Sequence, residues 1–218
     1  MINHHPGEDI LQEYAIGKMN AGAALVTACH LEVCAACRRE VALLDSLGGT
    51  LLDQTAPAAL SEGALATALA RIGDEAPSKS ADKEAKLPGF LERFALPRSL
   101  KGQPIGSRRW VAPGIWFAPL RMDSSSRSLT YLVYADRNKT LPRHTHEARE
   151  FTAILTGGYG DDLGTFAAGD FSEAHSDQWH APSITHDDSC LCLINSDGPM
   201  ELEGFTARLI QSAIGRLY

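Results

Sequence analysis

The first 75 residues carry apolar side chains at the spacing of amphipathic helices. Ile10, Leu11 and Tyr14 recur at that spacing directly behind Glu8 and Asp9, acidic residues that favour a helix N-terminus. Three later segments also favour helix: residues 21–31, about 35–52 and 61–72. The pattern therefore predicts a small domain of four helices. Because about 75 residues bury only a small core, a structural metal is an expected source of stability.

Beyond Trp110 the pattern changes to that of short strands. Residues 128–134 and 151–155 are rich in β-branched and aromatic side chains. Turn-forming residues follow at short intervals, at positions 157–158, 160–162, 168–170 and 197–199. Many short strands at close spacing are typical of an antiparallel β-barrel or β-sandwich. The predicted fold class is thus α + β in two domains, with a helical bundle first.

A polar segment separates the two patterns. Residues 76–83 are charged and have no apolar period, which is typical of a linker. The stretch 76–109 carries eight basic and three acidic residues, whereas the stretches on both sides are acidic. We therefore divide the chain into a helical domain at 1–76, a linker at 77–105 and a β domain at 106–218.

Composition narrows the functional classes. The 218 residues are 44% hydrophobic and 22% charged, which is ordinary for a globular protein. The net charge of −7 argues against direct nucleic-acid binding, and no apolar run approaches the roughly 20 residues of a membrane span. Residues 1–6 have neither the basic flank nor the apolar core of a signal peptide, so we expect a cytoplasmic protein. In a reducing compartment, five cysteines indicate metal ligands or redox groups.

The first candidate metal motif is His30-x3-Cys34-x2-Cys37. These offsets place the three side chains on one face of a continuous helix, and a break between two helices can also bring them together. Two thiolates and an imidazole are three of the four ligands of a structural zinc ion. Either His4 or His5 can supply the fourth. The alternative is that both cysteines are small buried hydrophobic residues and His30 is a surface residue.

The second candidate motif is His144-x-His146-x3-Glu150. Positions i and i+2 of a strand face the same side, so the two histidines can face one cavity. His180, which follows a later turn, is the expected third histidine. Three imidazoles and a carboxylate suit zinc, manganese, iron or nickel. The alternative is a metal that only stabilises the barrel. We expect Glu147 to be an outer-shell or surface residue.

Together the two motifs resemble a known family. His5 lies 24 residues before His30, and this spacing with Cys34 and Cys37 resembles the zinc motif of bacterial anti-sigma factors. The order of the motifs is similar to the ChrR type, in which a helical anti-sigma domain precedes a cupin-like double-stranded β-helix. The stretches 36–38, 48–51 and 55–63 also resemble that type.

The resemblance implies a function and completes both ligand sets. It makes His5 the fourth zinc ligand and leaves Cys29 outside the site. It favours zinc as the second divalent metal. The helical domain would bind an extracytoplasmic-function-type sigma factor, and the cupin-like domain would release it on an oxidative signal, singlet oxygen or an organic hydroperoxide. Cys190 and Cys192 would be an oxidation-sensitive pair near the second metal; the alternative is two buried small hydrophobic residues.

Two other functions fit part of the sequence. A cupin metal site of this type also serves in dioxygenases, but that hypothesis leaves the first motif without a role. A small-molecule-binding cupin with a zinc dimerisation domain is the second alternative. We therefore expect a non-enzymatic regulator and leave a homodimer open. His175 and His186 receive no role.

Overall fold

The computed structural model describes residues 2–73, 87–122, 128–184 and 188–203. Within these ranges the chain forms four α-helices, which we call the helical unit, and ten β-strands, which we call the β unit. The helices are α1 (Glu8–Ala15), α2 (Ala21–Val33), α3 (Ala35–Asp53) and α4 (Ala64–Ala70). The strands are β1 (Arg109–Ala112), β2 (Ile115–Leu120), β3 (Leu129–Ala135), β4 (His144–His146), β5 (Glu150–Thr156), β6 (Gly158–Asp161), β7 (Gly164–Ala167), β8 (Phe171–Ala174), β9 (Cys190–Ser196) and β10 (Met200–Leu202).

The strands form three antiparallel sheets. The largest has six strands in the order β1-β2-β3-β9-β5-β8, and the pairs β10-β4 and β6-β7 form two small sheets. This arrangement is a cupin-like β-sandwich, which confirms the predicted fold class. The barrel is not closed among the described strands. Within the described chain, the two small sheets are linked to each other only by isolated bridges to residues 180–183, which lie outside the named strands, such as that of His144 with His180.

Helix α2 joins the two units. Its start is capped by Asn20, whose side-chain oxygen accepts a hydrogen bond from the Ala23 N–H at 2.9 Å. Most of its residues are buried, including Leu25, Val26 and Cys29. These side chains belong to the same core cluster as sheet residues, among them Trp116, Leu132, Phe151, Leu191 and Leu193. The helical unit and the β unit therefore share one hydrophobic core.

Part of the predicted linker also packs into this core. Residues 87–105 contain two short 3-10 helices, Gly89–Leu91 and Arg98–Leu100, and the last residue of each is fully buried. Residues 74–86, the remainder of that region, lie outside the described residues. The boundaries at 1–76, 77–105 and 106–218 stay a prediction.

The start of α2 approaches the sheet closely at Gly22. A Cβ atom at this position would lie 2.0 Å from Thr130 Oγ1 and 2.3 Å from Asn195 Nδ2. Asn195 is itself fixed, since its side-chain amide donates to Thr130 Oγ1 at 3.1 Å and to the Leu129 carbonyl at 3.3 Å. Only glycine therefore lets α2 lie at this distance from β3 and β9.

None of the described helices is by itself long and apolar enough to cross a membrane. The pair α2 and α3 passes that test together by length and composition, but the two helices meet at an angle of 117°.

We predict that Gly22→Ala destabilises the protein. Alanine in a helix interior gains about 0.5–1 kcal/mol over glycine, but overpacking against Thr130 and Asn195 costs about 1–3 kcal/mol. The overlap is with two hydrogen-bonded polar groups, so we expect the clash to dominate and the free energy of unfolding in urea to fall. Gly48→Ala is the matched control, because a Cβ atom there meets nothing within 4 Å. This variant should be as stable as the wild type or slightly more stable. Equal stability of Gly22→Ala and the wild type would contradict the packing argument.

Candidate metal centres

The first motif lies at the corner between α2 and α3. Cys34 has an extended conformation, ends α2 and begins α3, so the structure has the break between two helices and not one continuous helix. Its Sγ accepts a hydrogen bond from the Cys37 N–H at 3.4 Å and thereby caps α3. A helix N-terminus also favours a negatively charged sulfur.

The structure brings together the four residues expected for this site: His5, His30, Cys34 and Cys37. We call them the helical site. The His5 Nδ1 atom lies 3.3 Å from Cys34 Sγ and 3.4 Å from Cys37 Sγ, and His30 Nε2 lies 3.4 Å from Cys37 Sγ. Nitrogen and sulfur ligands of a tetrahedral zinc ion lie about 3.6 Å apart. The donor set and its geometry therefore fit a zinc ion held by two imidazoles and two thiolates.

Burial at the helical site favours ligands for a cation. Burial and the neighbouring Cys34 raise the pKa of the Cys37 thiol to about 12. A positive charge beside the Cys37 sulfur is therefore needed to hold it as a thiolate, and a divalent ion supplies that charge. Burial lowers the pKa of His30 and so favours the neutral imidazole that coordinates metal.

His4 and Cys29, the neighbours of this site in sequence, lie outside it. His4 Nε2 is 3.1 Å from the Thr165 carbonyl oxygen, and its ring packs on Phe166. Cys29 is buried in the shared core, and burial raises its pKa to about 12. The structure therefore selects His5 from the two candidate N-terminal histidines.

The second cluster consists of His144, His146 and His180, which we call the histidine site. The first two lie on β4 and are buried, as expected from their i, i+2 spacing. The backbone of His180 pairs with that of His144 through hydrogen bonds of 3.0 and 2.9 Å. This pairing brings His180 Nε2 to 3.3 Å from His146 Nε2.

Outer-shell hydrogen bonds orient two of these rings. His144 donates from Nδ1 to the Pro142 carbonyl at 2.7 Å, and His180 donates from Nδ1 to Asp161 Oδ2 at 2.9 Å. Both bonds leave Nε2 free to coordinate an ion. Burial lowers the pKa of His144 to about 4 and that of His146 to about 3, so both imidazoles are neutral at physiological pH. Three imidazoles suit several divalent metals.

Glu150 is next to the histidine site but is not one of the three grouped residues. Its Oε2 atom lies 3.2 Å from His146 Nε2, and the Tyr131 hydroxyl donates to the same oxygen at 3.4 Å. Burial raises the pKa of Glu150 to about 7. The carboxylate thus has one close histidine neighbour, and its role as a ligand stays a prediction.

Cys190 and Cys192 line a cavity of about 50 Å³ together with His144, Glu150 and His180. Both cysteines are buried, and their Sγ atoms are 3.5 Å apart. The hydrogen bond to Cys190 and burial raise the pKa of Cys192 well above its usual value. Both cysteines therefore line the same cavity as the histidine site, and the surroundings of Cys192 favour its protonated thiol.

The other polar candidates lie on the surface or outside the described residues. Glu147 is exposed. His175 is half exposed and has its Nε2 atom 3.6 Å from Glu173. His186 lies outside the described residues.

The sequence did not reveal the outer-shell partners of either site. Asp161 has a fully buried side chain and fixes His180, yet in the sequence it is one of several residues at a glycine-rich turn. The Gly169 carbonyl accepts a hydrogen bond of 2.8 Å from His30 Nδ1, and Gly169 also belongs to a predicted turn. The available signal was the acidic residue in each turn, but only the fold shows which side chains point inward.

Comparison with known proteins gives two similarities over nearly the whole chain. The anti-sigma-E factor ChrR of Cereibacter sphaeroides is 31% identical over 214 residues, which are 96% of this chain and 97% of that protein. A crystal structure of Rhodobacter sphaeroides SigE in complex with the anti-sigma ChrR matches with a TM-score of 0.73 and 31% identity. That match covers 90% of this chain and 100% of the other. A family model described as the ChrR cupin-like domain matches residues 105–200.

We predict that Asp161→Asn weakens metal binding at the histidine site. The amide keeps the shape of the carboxylate but loses the charge that orients His180, and such outer-shell changes cost about 10–100-fold in metal affinity. The affinity is measured by chelator competition on protein whose metal content has been determined by elemental analysis. Asp162→Asn is the control, since the Asp162 carboxylate is half exposed and pairs only at 3.5 Å with Arg143. Equal affinities of the Asp161→Asn variant and the control would contradict the assigned role.

Proposed function

This chain belongs to the ChrR family of anti-sigma factors, and from that premise we propose that it binds an extracytoplasmic-function-type sigma factor through its helical unit. It is a regulatory protein and not an enzyme, since the relative that it matches over 97% of that protein's length is an anti-sigma factor. In this proposal the complex keeps the sigma factor from RNA polymerase and so represses transcription. We place this action in the cytoplasm, where the polymerase acts.

The observation that carries this proposal is an apolar side of α3 that the described chain leaves uncovered. Leu43, Leu47 and Leu51 are four residues apart and so lie along one side of the helix. Their exposed fractions are 64%, 56% and 61%. We call these three residues the leucine face. More large apolar residues are exposed nearby in sequence: Leu52, Leu60, Leu65, Leu69 and Ile72. Contiguous exposed apolar surface of this kind marks a protein-binding site.

Charge supports a partner with a basic surface. Residues 1–75 carry ten acidic and four basic residues. Complementary charge speeds association and disfavours wrong partners. A second copy of this chain would meet the same acidic surface and be repelled, so the leucine face favours a sigma factor over a homodimer.

We further propose that each cluster holds a metal ion and that the β unit senses the signal. The helical site would hold zinc, which stabilises the α2–α3 corner. The histidine site would hold a second divalent ion, with zinc our choice and Glu150 its fourth ligand. An oxidant such as singlet oxygen or an organic hydroperoxide would act at this site or at Cys190 and Cys192, which share its cavity. The altered β unit would then favour a state with low affinity for the sigma factor.

We predict that Leu47→Asp and Leu51→Asp each abolish tight binding of the extracytoplasmic-function-type sigma factor that this chain binds in the proposed function. Loss of one buried leucine costs about 1.5–3 kcal/mol, and a buried unpaired charge adds to that. The dissociation constant should therefore rise at least about 100-fold, as measured by isothermal titration calorimetry. Because both positions are exposed, the fold should be unaffected. Trp110→Asp is the control, since Trp110 is 56% exposed but lies on β1. Wild-type affinity in both leucine variants would contradict the proposed surface. If the free wild-type protein is a dimer and the free leucine variants are monomers, the leucine face is a dimer contact instead.

We predict that His180→Ala binds the sigma factor but no longer releases it on oxidation. The substitution removes one ring of the histidine site and leaves the leucine face intact. Release from the purified complex is measured after treatment with singlet oxygen or an organic hydroperoxide. His175→Ala, an exposed histidine outside the site, is the control. A Cys190→Ser, Cys192→Ser double variant separates the thiols from the metal. Release from His180→Ala at the wild-type rate would exclude the histidine site as the sensor, and no release from the wild type would exclude an oxidative signal.

A further inference from the structure

The helical site and the N-terminal segment that carries His5 are hydrogen-bonded to the β unit. The turn between β7 and β8, residues 168–170, reaches across to α2 and to the N-terminal segment. His30 donates from Nδ1 to the Gly169 carbonyl at 2.8 Å. This bond fixes the tautomer in which Nε2 faces the two sulfurs, so the β unit orients one of the four ligands.

The same turn holds the segment that carries His5. Asp170 is 1% exposed, and its Oδ1 atom accepts hydrogen bonds from the backbone N–H groups of Asn3 at 2.7 Å and His4 at 3.2 Å. In return, the Phe171 N–H donates to the His4 carbonyl at 3.1 Å. The other oxygen of Asp170, Oδ2, accepts from the Ala167 N–H at 2.9 Å and so ties the carboxylate to its own turn.

A carboxylate is buried at low cost only when its lone pairs are hydrogen-bonded. At Asp170 the donors that the structure describes are backbone N–H groups, and two of the three come from the segment just before His5. The carboxylate therefore specifies where this segment lies. The β unit thus positions the segment that carries His5 and orients the ring of His30, which lies on α2, whereas both cysteines are positioned by the α2–α3 corner.

We propose that Gly169 and Asp170 are positioning residues of the helical site and that its metal ion fastens the helical unit to the β unit. The ion joins ligands that are anchored on different parts of the chain, so removing it frees the N-terminal segment from the cysteines. Conversely, loosening the turn lowers the affinity for the ion, because the two effects are thermodynamically linked. This inference rests on the proposed function to the extent that the helical site holds zinc.

The test uses the zinc-loaded full-length protein and the variant Asp170→Asn. In the wild type both carboxylate oxygens accept hydrogen bonds from backbone N–H groups. The asparagine amide has the same shape, but its NH2 group is a donor and cannot accept, so the segment before His5 or the turn loses hydrogen bonds. We expect zinc to leave the helical site about 10–100-fold faster in a chelator solution. We also expect faster alkylation of Cys34 and Cys37, measured by mass spectrometry, with zinc at the histidine site retained.

Glu173→Gln is the matched control. Glu173 lies beside a contact between the units, since it accepts a hydrogen bond of 2.9 Å from Arg149, which also pairs with Asp9 and Glu13 of α1. Among the described residues it has no hydrogen bond to the segment before His5. Zinc release from this variant should match the wild type. Equal release from Asp170→Asn and the wild type would overturn the inference, and so would equal acceleration in both variants. If Asp170→Asn does not fold, Asp170→Glu, which keeps the charge but displaces the oxygens, gives the same comparison.

A second measurement runs in the opposite direction on the unaltered protein. Removal of zinc should raise hydrogen exchange at the amides of Asn3, His4 and Phe171, which bridge the units, while the amide of Leu193 in the central strand β9 stays protected. Unchanged exchange at the three bridging amides would overturn the proposed fastening. A wild-type protein that contains no zinc at Cys34 and Cys37 would instead refute the proposed function, so the two failures are distinguishable.

Discussion

The whole structure depends on the enclosure of α2, a helix whose residues are apolar on almost every side. Such a helix is stable only when it is surrounded, because each exposed face would leave apolar surface in water. The large sheet covers one side through Phe151 and Leu193, and the 3-10 helices that end at Leu91 and Leu100 belong to the same core. The helical unit and the β unit are therefore not separate bodies on a tether but two parts of one core.

The enclosure of α2 explains why the helical site lies where the units meet. His30 is near the end of this helix, and the same hydrophobic contact that buries α2 brings the imidazole to the β7–β8 turn. On the other side of that turn, β8 pairs with β5, where Ala174 lies opposite Glu150 at the histidine site. One short strand thus separates the surroundings of the two candidate metal centres. A change at one site can affect the other through local packing, without a long relay.

The sequence predicted the secondary-structure elements and the candidate ligands better than the residues that orient those ligands. The four helices, the strands β3 and β5 and the two metal motifs follow from periodicity and spacing, which are local properties, whereas the choice of His5 over His4 came from the family resemblance. The bend at Cys34 did not follow, because the motif fits one helix as well as two. Asp161 and Asp170 were also missed, since a turn carboxylate is oriented by residues far away in the chain. The structure groups His144, His146 and His180 but not Glu150, so the ligand role of Glu150 stays a prediction.

The leucine face has a consequence for how much of this protein a cell can hold. In the proposed complex the sigma factor covers these three exposed leucines, but a chain made in excess over its partner would present that surface to other proteins. Free protein of this kind is prone to non-specific contacts with other proteins and to degradation. In this proposal the exposed helix therefore requires that the two proteins be made in balanced amounts. The cost of leaving apolar surface in water, which determines how the chain folds, then also limits the ratio in which the two proteins are produced.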